Sequence, residues 1–246
     1  SKECVERYCG KYFNLEAQSP IVEKFSRYIQ EATQGHVGLI FHTLRHTKEA
    51  MERRIRENVL SFKDVFAYLN SREFDLTVDR CRASPKVKSL SSEQLKICEM
   101  VYTFGEVPFN AYNTSMLRLI KSGILVIDHE RLFFSAPLIE RSFFQQCYGS
   151  HNTSETTPES LYHFIVRIFT AMCDGPSGKI LREALGFGTD GNLLEQTWQK
   201  EFYRVGTQVL GINYFLSCDV GAVFGCDGYV DFYVDKLDWA IELLRD

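Results

Sequence analysis

The sequence predicts an α+β fold in three parts: a helical N-terminal region, a helix–hairpin domain and a mixed C-terminal domain. Apolar residues recur at helical spacing up to about residue 75, two strand-like runs flank a turn near residue 129, and alternating runs close the chain. With 246 residues, 45% of them hydrophobic, the chain is long enough for one large core or several small ones.

The first predicted region, residues 1–78, is helical. Ser19-Pro20 marks a helix start, and Thr33-Gln34-Gly35 ends that helix. A second helix is predicted from His36 to Arg56, and Ser61 is the expected N-cap of a third. The expected apolar stripe of the second helix is Val37, Ile40, Phe41 and Leu44. Residues 76–90 are polar and contain Pro85, which predicts a connector.

The second predicted region, residues 79–148, has the pattern of a winged helix. Ser91 to Gln94 resembles a capping box, and Asn113 or Thr114 is expected to cap a short second helix. Residues 124–127 and 132–134 form strand-like runs around Asp128-His129-Glu130, which predicts a hairpin. Two helices followed by such a two-stranded wing favour a winged-helix domain.

A linker is predicted at residues 149–158, which are rich in Ser, Thr, Asn and Gly, and a last domain at 159–246. In this last domain we expect helices at about 159–172 and 193–210, separated by a Gly-rich bend, and then three strands. The chain begins within a helical pattern and ends directly after a strand pattern, so we expect a truncated domain and a fragment of a longer protein.

The last two strands predict a tight hairpin with a defined register. Residues 229–234 and 239–244 both alternate, and four turn-type residues lie between them. If Val234 faces Trp239, then Phe232 faces Ile241 and Val230 faces Leu243, so that one face is wholly apolar. A slip of one residue would destroy this match, and the register is therefore well specified.

This register places Asp231 opposite Glu242 on the other face. Like charges that are directly opposed destabilise a sheet. A divalent cation, Mg²⁺ or Mn²⁺, would convert the repulsion into a ligand set, and we therefore predict Asp231 and Glu242 as metal ligands. The alternative is an exposed sheet face with two solvated acids.

Glu201 is the third candidate acid. It lies on the preceding predicted helix between Trp198 and Val205, on an otherwise apolar stripe. A carboxylate there needs a partner. It would contact the metal or its water; alternatively, it reaches solvent or pairs with Arg204 or Lys200.

Four segments together resemble the C-terminal domain of Crinkler-type effectors and related fungal proteins. They are residues 198–204, 219–221, 228–234 and 239–244. The resemblance implies a restriction-endonuclease-like (PD-(D/E)XK) fold, with Glu201, Asp231 and Glu242 as the catalytic acids. Residues 35–39 are similar to the segment that enters the helical lid of the family's P-loop ATPase, and residues 134–138 to the end of its winged helix. The family further implies secretion and action inside a host cell, in its nucleus.

The chain departs from the family's pattern in two places. Classical nucleases of this fold carry Lys two residues after the second acid, where this chain has Leu244, and Lys200 or Lys236 would have to substitute. The ATPase motif is also missing. In Gly175-Pro176-Ser177-Gly178-Lys179, Cys173 stands at the position of the first Gly and Ile180 replaces Ser or Thr, so we predict no ATP site of that kind.

Few cationic side chains are candidates for contact with nucleic acid. The net charge is −4, so any such contact must be local. The candidates are Arg118 and Lys121 on the predicted recognition helix, with Lys200 and Arg204 in the last domain. The predicted wing is more acidic than basic, which disfavours phosphate contacts. We therefore expect the winged helix to connect the ATPase and effector domains structurally and not to bind DNA. We expect the basic run between Arg45 and Arg56 to be mostly a solvated helix face.

The sequence shows no membrane span, no signal peptide and no zinc motif, and in an expected fragment the missing targeting signal carries no conclusion. No apolar run approaches the roughly 20 residues of a membrane span, and no signal peptide is visible. None of the eight Cys forms a C-x-x-C pair, which favours reduced, mostly buried thiols and a reducing compartment. His42 and His46 share a helix face, but the sequence shows no third zinc ligand.

Two functions follow as expectations. The first is Mg²⁺-dependent hydrolysis of phosphodiester bonds in DNA by the last domain. The second is a catalytically inactive effector or interaction module that binds a host protein or DNA, which Leu244 and the expected truncation favour.

Overall fold

The computed structural model describes residues 2–16, 19–149, 156–174, 195–221 and 230–243. It combines helices with two small sheets, which confirms the α+β class. The described residues divide into two compact units, one up to residue 143 and one comprising residues 144–220 and 230–243.

Five helices begin the first unit, and local capping explains where they start. They are α1 (Lys2–Tyr12), α2 (Pro20–Thr33), α3 (Val37–Arg56), α4 (Phe62–Leu69) and α5 (Arg72–Arg80). Ser19 Oγ accepts a hydrogen bond from Val22 N, and Ser61 forms a capping box with Asp64, so both predicted helix starts are confirmed. Gly35, at φ 77°, follows the end of α2.

Two predictions for these helices are wrong in part. Ile40 and Leu44 are buried, but Val37 is 78% and Phe41 59% exposed, because the buried face of α3 continues through Thr43, Thr47 and Met51 instead. The polar connector predicted from residue 76 begins later, since α5 extends to Arg80. Its signals were a Ser71 cap and the four-residue spacing of the buried Phe74 and Val78.

A helix–hairpin arrangement follows within the same unit. It consists of a 3-10 turn (Val87–Ser89), α6 (Ser92–Phe104), β1 (Val107–Pro108), α7 (Thr114–Lys121), β2 (Leu125–Asp128), β3 (Arg131–Phe134) and α8 (Pro137–Tyr148). The strands form an antiparallel sheet in the order β1-β3-β2. The predicted hairpin is confirmed, and its turn has positive φ at His129 and Glu130.

Side-chain hydrogen bonds join α6 to the start of α7. Ser91 and Gln94 form the expected capping box, and Asn113 is the N-cap of α7. The Glu93 carboxylate accepts hydrogen bonds from Asn113 Nδ2 at 3.0 Å and from Ser115 Oγ at 2.7 Å. These two bonds lower the pKa of Glu93.

A buried polar cluster links α8 to α4 and α5. Arg141, which is 2% exposed, donates to Asn70 Oδ1 at 2.9 Å and to Asp75 Oδ1 at 2.8 Å. The hydroxyls of Ser84 and Ser142 lie 2.6 Å apart. The predicted regions 1–78 and 79–143 therefore share buried polar contacts within one compact unit.

The described part of the second unit holds two helices and a second sheet. Its described elements are α9 (Leu161–Asp174), α10 (Glu195–Val209), β4 (Leu216–Gly221), β5 (Val230–Val234) and β6 (Trp239–Ile241), with strand order β4-β5-β6. Phe202 and Phe232 stack with centroids 5.0 Å apart, and Phe164 lies 5.9 Å from Trp239. A Cβ at Gly206 would lie 2.7 Å from Leu216 Cδ2, so this glycine permits close packing of α10 against the sheet.

Two predicted features lie outside the described residues. These are most of the linker at 149–158 and the Gly-rich bend, including Gly175-Pro176-Ser177-Gly178-Lys179. Within the described segments, every helix is too short or too polar to cross a membrane.

Candidate active site

The β5–β6 hairpin has the register that the sequence predicts. Phe232 pairs with Ile241 and Val234 with Trp239. Phe232, Val234 and Ile241 are all buried, with at most 7% of each exposed. Burying a large apolar side chain stabilises a fold by about 1.5–3 kcal/mol, so this face holds the hairpin to the core of the second unit.

The turn of the hairpin is fixed to the chain segment before β4. Asp235 Oδ1 accepts from Phe215 N at 2.6 Å, and Asp235 N donates to Phe215 O at 3.0 Å. Lys236 Nζ donates to Asn213 O at 2.7 Å. Asp235 thus anchors the hairpin, a role that sequence reasoning missed by treating residues 235–238 only as a turn. Lys236 would have to leave Asn213 to replace the lysine expected at position 244, which lies outside the described residues.

Asp231 is half-buried at the start of β5. Gln199 Nε2, on α10, donates to Asp231 Oδ1 at 3.0 Å, and Leu243 N donates to Asp231 Oδ2 at 2.6 Å. Each carboxylate oxygen is therefore held by a different part of the fold, which fixes the direction of the carboxylate. Sequence reasoning missed Gln199 because its partner lies 32 residues away.

Glu242 follows the last residue of β6 and is exposed. The strand pairing ends with Phe232 and Ile241, and the predicted pair of Asp231 and Glu242 is the next position along the two segments. Strand β6 ends at Ile241, and two residues later Leu243 N donates to the Asp231 side chain. Directly opposed residues in an antiparallel pair have Cβ atoms about 4.5–5.5 Å apart, a spacing at which two carboxylates can share one cation.

Glu201 lies on α10 and is only 8% exposed. Its Oε2 accepts from Arg204 Nη2 at 2.8 Å, and Arg204 Nε lies 3.2 Å from the same oxygen. This is the arginine pairing that the sequence left open as the alternative. A role for Glu201 as the third acid stays a prediction, and it now requires the carboxylate to exchange Arg204 for a cation or its water.

The face of β5 that carries Asp231 is partly buried. Tyr233 is only 2% exposed, and its hydroxyl donates to Asp238 Oδ1 at 2.8 Å. Burial and this hydrogen bond raise the pKa of Tyr233. The carboxylate of Asp231 therefore projects beside a packed surface and not from a fully solvated sheet.

The candidate nucleic-acid side chains are distributed over both units. Arg118 and Lys121 are exposed on α7. In the second unit Arg204 is bound to Glu201, and Lys200 Nζ lies 5.2 Å from the ring centroid of Tyr148. Lysine and arginine already engaged in this way bind phosphate less readily, since those contacts must first be exchanged.

Neighbouring acids partly neutralise the other basic groups of the first unit. Arg131 pairs with Glu106 beside the wing, and Asp128 pairs with His129. In the basic run, ion pairs join Arg45 to Glu49, Arg53 to Glu57 and Arg54 to Asp64. These contacts support the expectation of a mostly solvated helix face.

The candidate site thus has one carboxylate, Asp231, that two hydrogen bonds fix, an exposed carboxylate, Glu242, just after β6, and Glu201, which is paired with Arg204. In the described part of the chain, no three His, Cys, Asp or Glu side chains converge on one point. A cation here would be held by the Asp231 and Glu242 pair, with water and substrate phosphate supplying its other ligands. Comparison of the chain with family models, curated proteins and solved structures gave no match.

Proposed function

We propose that the second unit hydrolyses phosphodiester bonds in DNA with a divalent cation, Mg²⁺ or Mn²⁺, held by Asp231 and Glu242. The observation that supports this proposal is the β5–β6 register, in which Phe232 pairs with Ile241 and the next position of each segment carries a carboxylate, Asp231 and Glu242. Folding of the sheet does not require this pair, because like charges in opposed positions are destabilising. Mg²⁺ sites of one or two carboxylates plus phosphate are common in enzymes that act on phosphate esters.

The protein groups would have distinct tasks. Gln199 and Leu243 N direct Asp231, so this ligand is already ordered before any ion binds. Glu242 is exposed and completes the pair from the neighbouring strand. When bound, the cation supplies polarisation of a phosphoryl oxygen and lowers the pKa of a water. Lys200, one residue from Gln199 on α10, is the nearest candidate in sequence for a contact to the substrate phosphate.

The wider proposal assigns the chain to Crinkler-type effectors by the resemblance of its motifs. In that assignment α1–α5 correspond to the helical lid of an ATPase, α6 to β3 to a winged helix, and the second unit to a restriction-endonuclease-like domain. The order of a helix, a short strand, a second helix and a hairpin supports the winged-helix part. Secretion and action in a host nucleus belong to the same proposal.

A second candidate function is an inactive interaction module that binds a host protein or DNA. The contact between Glu201 and Arg204 favours it, because the third acid of the predicted site is neutralised. Leu244 in place of the expected lysine points the same way. On this alternative, Asp231 has a structural role and holds Leu243 and Gln199 by hydrogen bonds.

Supercoiled plasmid incubated with the protein and Mn²⁺ or Mg²⁺ would distinguish the two functions. Glu242→Gln is the preferred variant, since Glu242 is exposed and its replacement disturbs no buried contact. Asp231→Ala is the companion variant, checked for folding because Asp231 also binds Leu243 N. Glu159→Gln, at an exposed acid in the same unit, is the matched control.

Nicking that requires the cation, survives Glu159→Gln and is lost in Glu242→Gln would support the nuclease. Equal nicking by all three variants would indicate a contaminating enzyme and contradict the assignment. Without nicking in either cation, the interaction module becomes the better account, and DNA binding by the folded protein is then the relevant measurement.

A further inference from the structure

Helix α3 carries two histidines, His42 and His46, whose rings lie against each other. Their centroids are 4.3 Å apart, with ring planes tilted by 56°. His42 is half-buried and the side chain of His46 is 25% exposed, so the pair is reachable from solvent and partly fixed by packing. Two residues four positions apart on a helix share one face, which places both rings over the same patch of surface.

The hydrogen bonds around His42 determine which ring nitrogen carries its proton. Thr77 Oγ1 donates its single hydrogen to Phe74 O at 2.7 Å. The contact of 3.1 Å between Thr77 Oγ1 and His42 Nε2 must therefore be one in which the histidine donates. Nε2 then bears the hydrogen, and Nδ1 of His42 retains its lone pair.

The same reasoning applies to His46 with a different partner. Its Nδ1 lies 3.2 Å from Glu49 Oε2. An ionised carboxylate only accepts hydrogen bonds, so Nδ1 of His46 bears the hydrogen and Nε2 retains the lone pair. Arg45 Nε donates to the other oxygen of Glu49 at 2.8 Å and holds that carboxylate in place.

We propose that His42 and His46 chelate a divalent transition-metal ion, with Zn²⁺ as the expected occupant, through Nδ1 of His42 and Nε2 of His46. Zn–N bonds are about 2.0–2.1 Å long, so one ion can bridge nitrogens up to about 4 Å apart. The two ring centroids lie 4.3 Å apart. Metal-bound histidines usually donate their other N–H to a carboxylate or another acceptor, and Glu49 and Thr77 occupy those positions here.

The site is open. The described residues contain no group of three His, Cys, Asp or Glu side chains that could hold one ion, and Glu49 bonds the far nitrogen of His46, so water would complete the coordination shell. Such a site binds its ion reversibly, and the protein does not need the ion in order to fold. It is separate from the proposed carboxylate pair in both residue type and preferred metal, since imidazole suits Zn²⁺ and carboxylates suit Mg²⁺.

The test uses the full chain without a histidine tag, freed of metal and kept reduced, titrated with ZnCl₂ by calorimetry. We expect one Zn²⁺ per chain at this site and at least about a tenfold loss of affinity in His42→Ala and in His46→Ala. Glu49→Gln leaves both imidazoles intact but lets the new amide donate to Nδ1 of His46. We expect it to lower the affinity, since loss of a carboxylate that accepts the other N–H of a metal-bound histidine costs about 10–100-fold. His163→Ala, at an exposed histidine of α9, is the matched control and should bind like the unaltered protein.

Long-range ¹H–¹⁵N NMR of the metal-free protein provides an independent readout that does not depend on affinity. It should show His42 as the Nε2–H tautomer and His46 as the Nδ1–H tautomer. The opposite tautomer at either residue would overturn the proposal, as would Zn²⁺ affinity that stays the same in His46→Ala.

Discussion

The contact between Glu201 and Arg204 yields a quantitative prediction about the second unit. Replacing Arg204 with Met removes the guanidinium and leaves a carboxylate that is 8% exposed without that partner. Breaking a fully buried ion pair costs about 3–5 kcal/mol, whereas an exposed pair contributes about 0–1 kcal/mol. The side chains of Arg204 and Glu201 are 29% and 11% exposed, between these limits, so we expect a loss of about 2 kcal/mol in the free energy of unfolding.

A double variant, Glu201→Gln with Arg204→Met, separates the energy of the ion pair from that of the other contacts of each side chain. Glu201→Gln alone should cost about 1 kcal/mol, since a neutral amide still accepts a hydrogen bond from Arg204. With both substitutions, no charge is left buried, so the loss should be smaller than the sum of the single losses by about 1 kcal/mol.

Urea unfolding followed by tryptophan fluorescence is the suitable assay. Both tryptophans of the chain, Trp198 and Trp239, lie in the second unit, so the signal reports the unit that contains the ion pair. Additive losses, within about 0.5 kcal/mol, would refute the reasoning and show that Glu201 and Arg204 do not depend on each other. Glu201 would then be available to a cation.

Three further predictions concern packing and pH. Phe232→Ala should destabilise the second unit by about 3–5 kcal/mol in the same urea assay, because Phe232 is 1% exposed and stacks on Phe202. Gly206→Ala should cost about 1 kcal/mol at the same signal, since crowding against Leu216 at about 1–3 kcal/mol exceeds the gain in helix propensity of about 1 kcal/mol. The pKa of Glu93 is lowered in the folded protein, so its contribution to stability is present above pH 4.5 and is lost as the pH falls through the folded pKa. Glu93→Ala should therefore flatten this part of the curve of stability against pH, measured by circular dichroism. An unchanged curve would contradict the prediction.

The hairpins could be predicted because a wrong register would cost much burial. For β5 and β6, a slip of one residue would move Ile241 away from the face of Phe232 and Val234, and the structure has the predicted pairing. For β2 and β3, the two-residue turn has positive φ at His129 and Glu130, as tight hairpin turns require. Short-range patterns of this kind reflect the energetics of a few adjacent residues.

The tertiary partners could not be predicted in the same way. Tyr233 shares the face of β5 that carries Asp231, yet it is buried, because coverage of a sheet face depends on the rest of the fold. The bonds of Asp231 to Gln199 and of Asp235 to Phe215 join positions 32 and 20 residues apart. The pairing of Glu201 with Arg204 spans only three residues and was therefore foreseeable as an alternative.

Binding of Mn²⁺ to the folded protein, measured by electron paramagnetic resonance, tests the proposed cation site most directly, because it does not depend on the choice of nucleic acid. We predict one Mn²⁺ per chain in the unaltered protein and in Glu159→Gln, with binding lost in Glu242→Gln and Asp231→Ala. Equal Mn²⁺ binding in all four proteins, or none in the unaltered protein, would contradict the assignment of Asp231 and Glu242 as metal ligands.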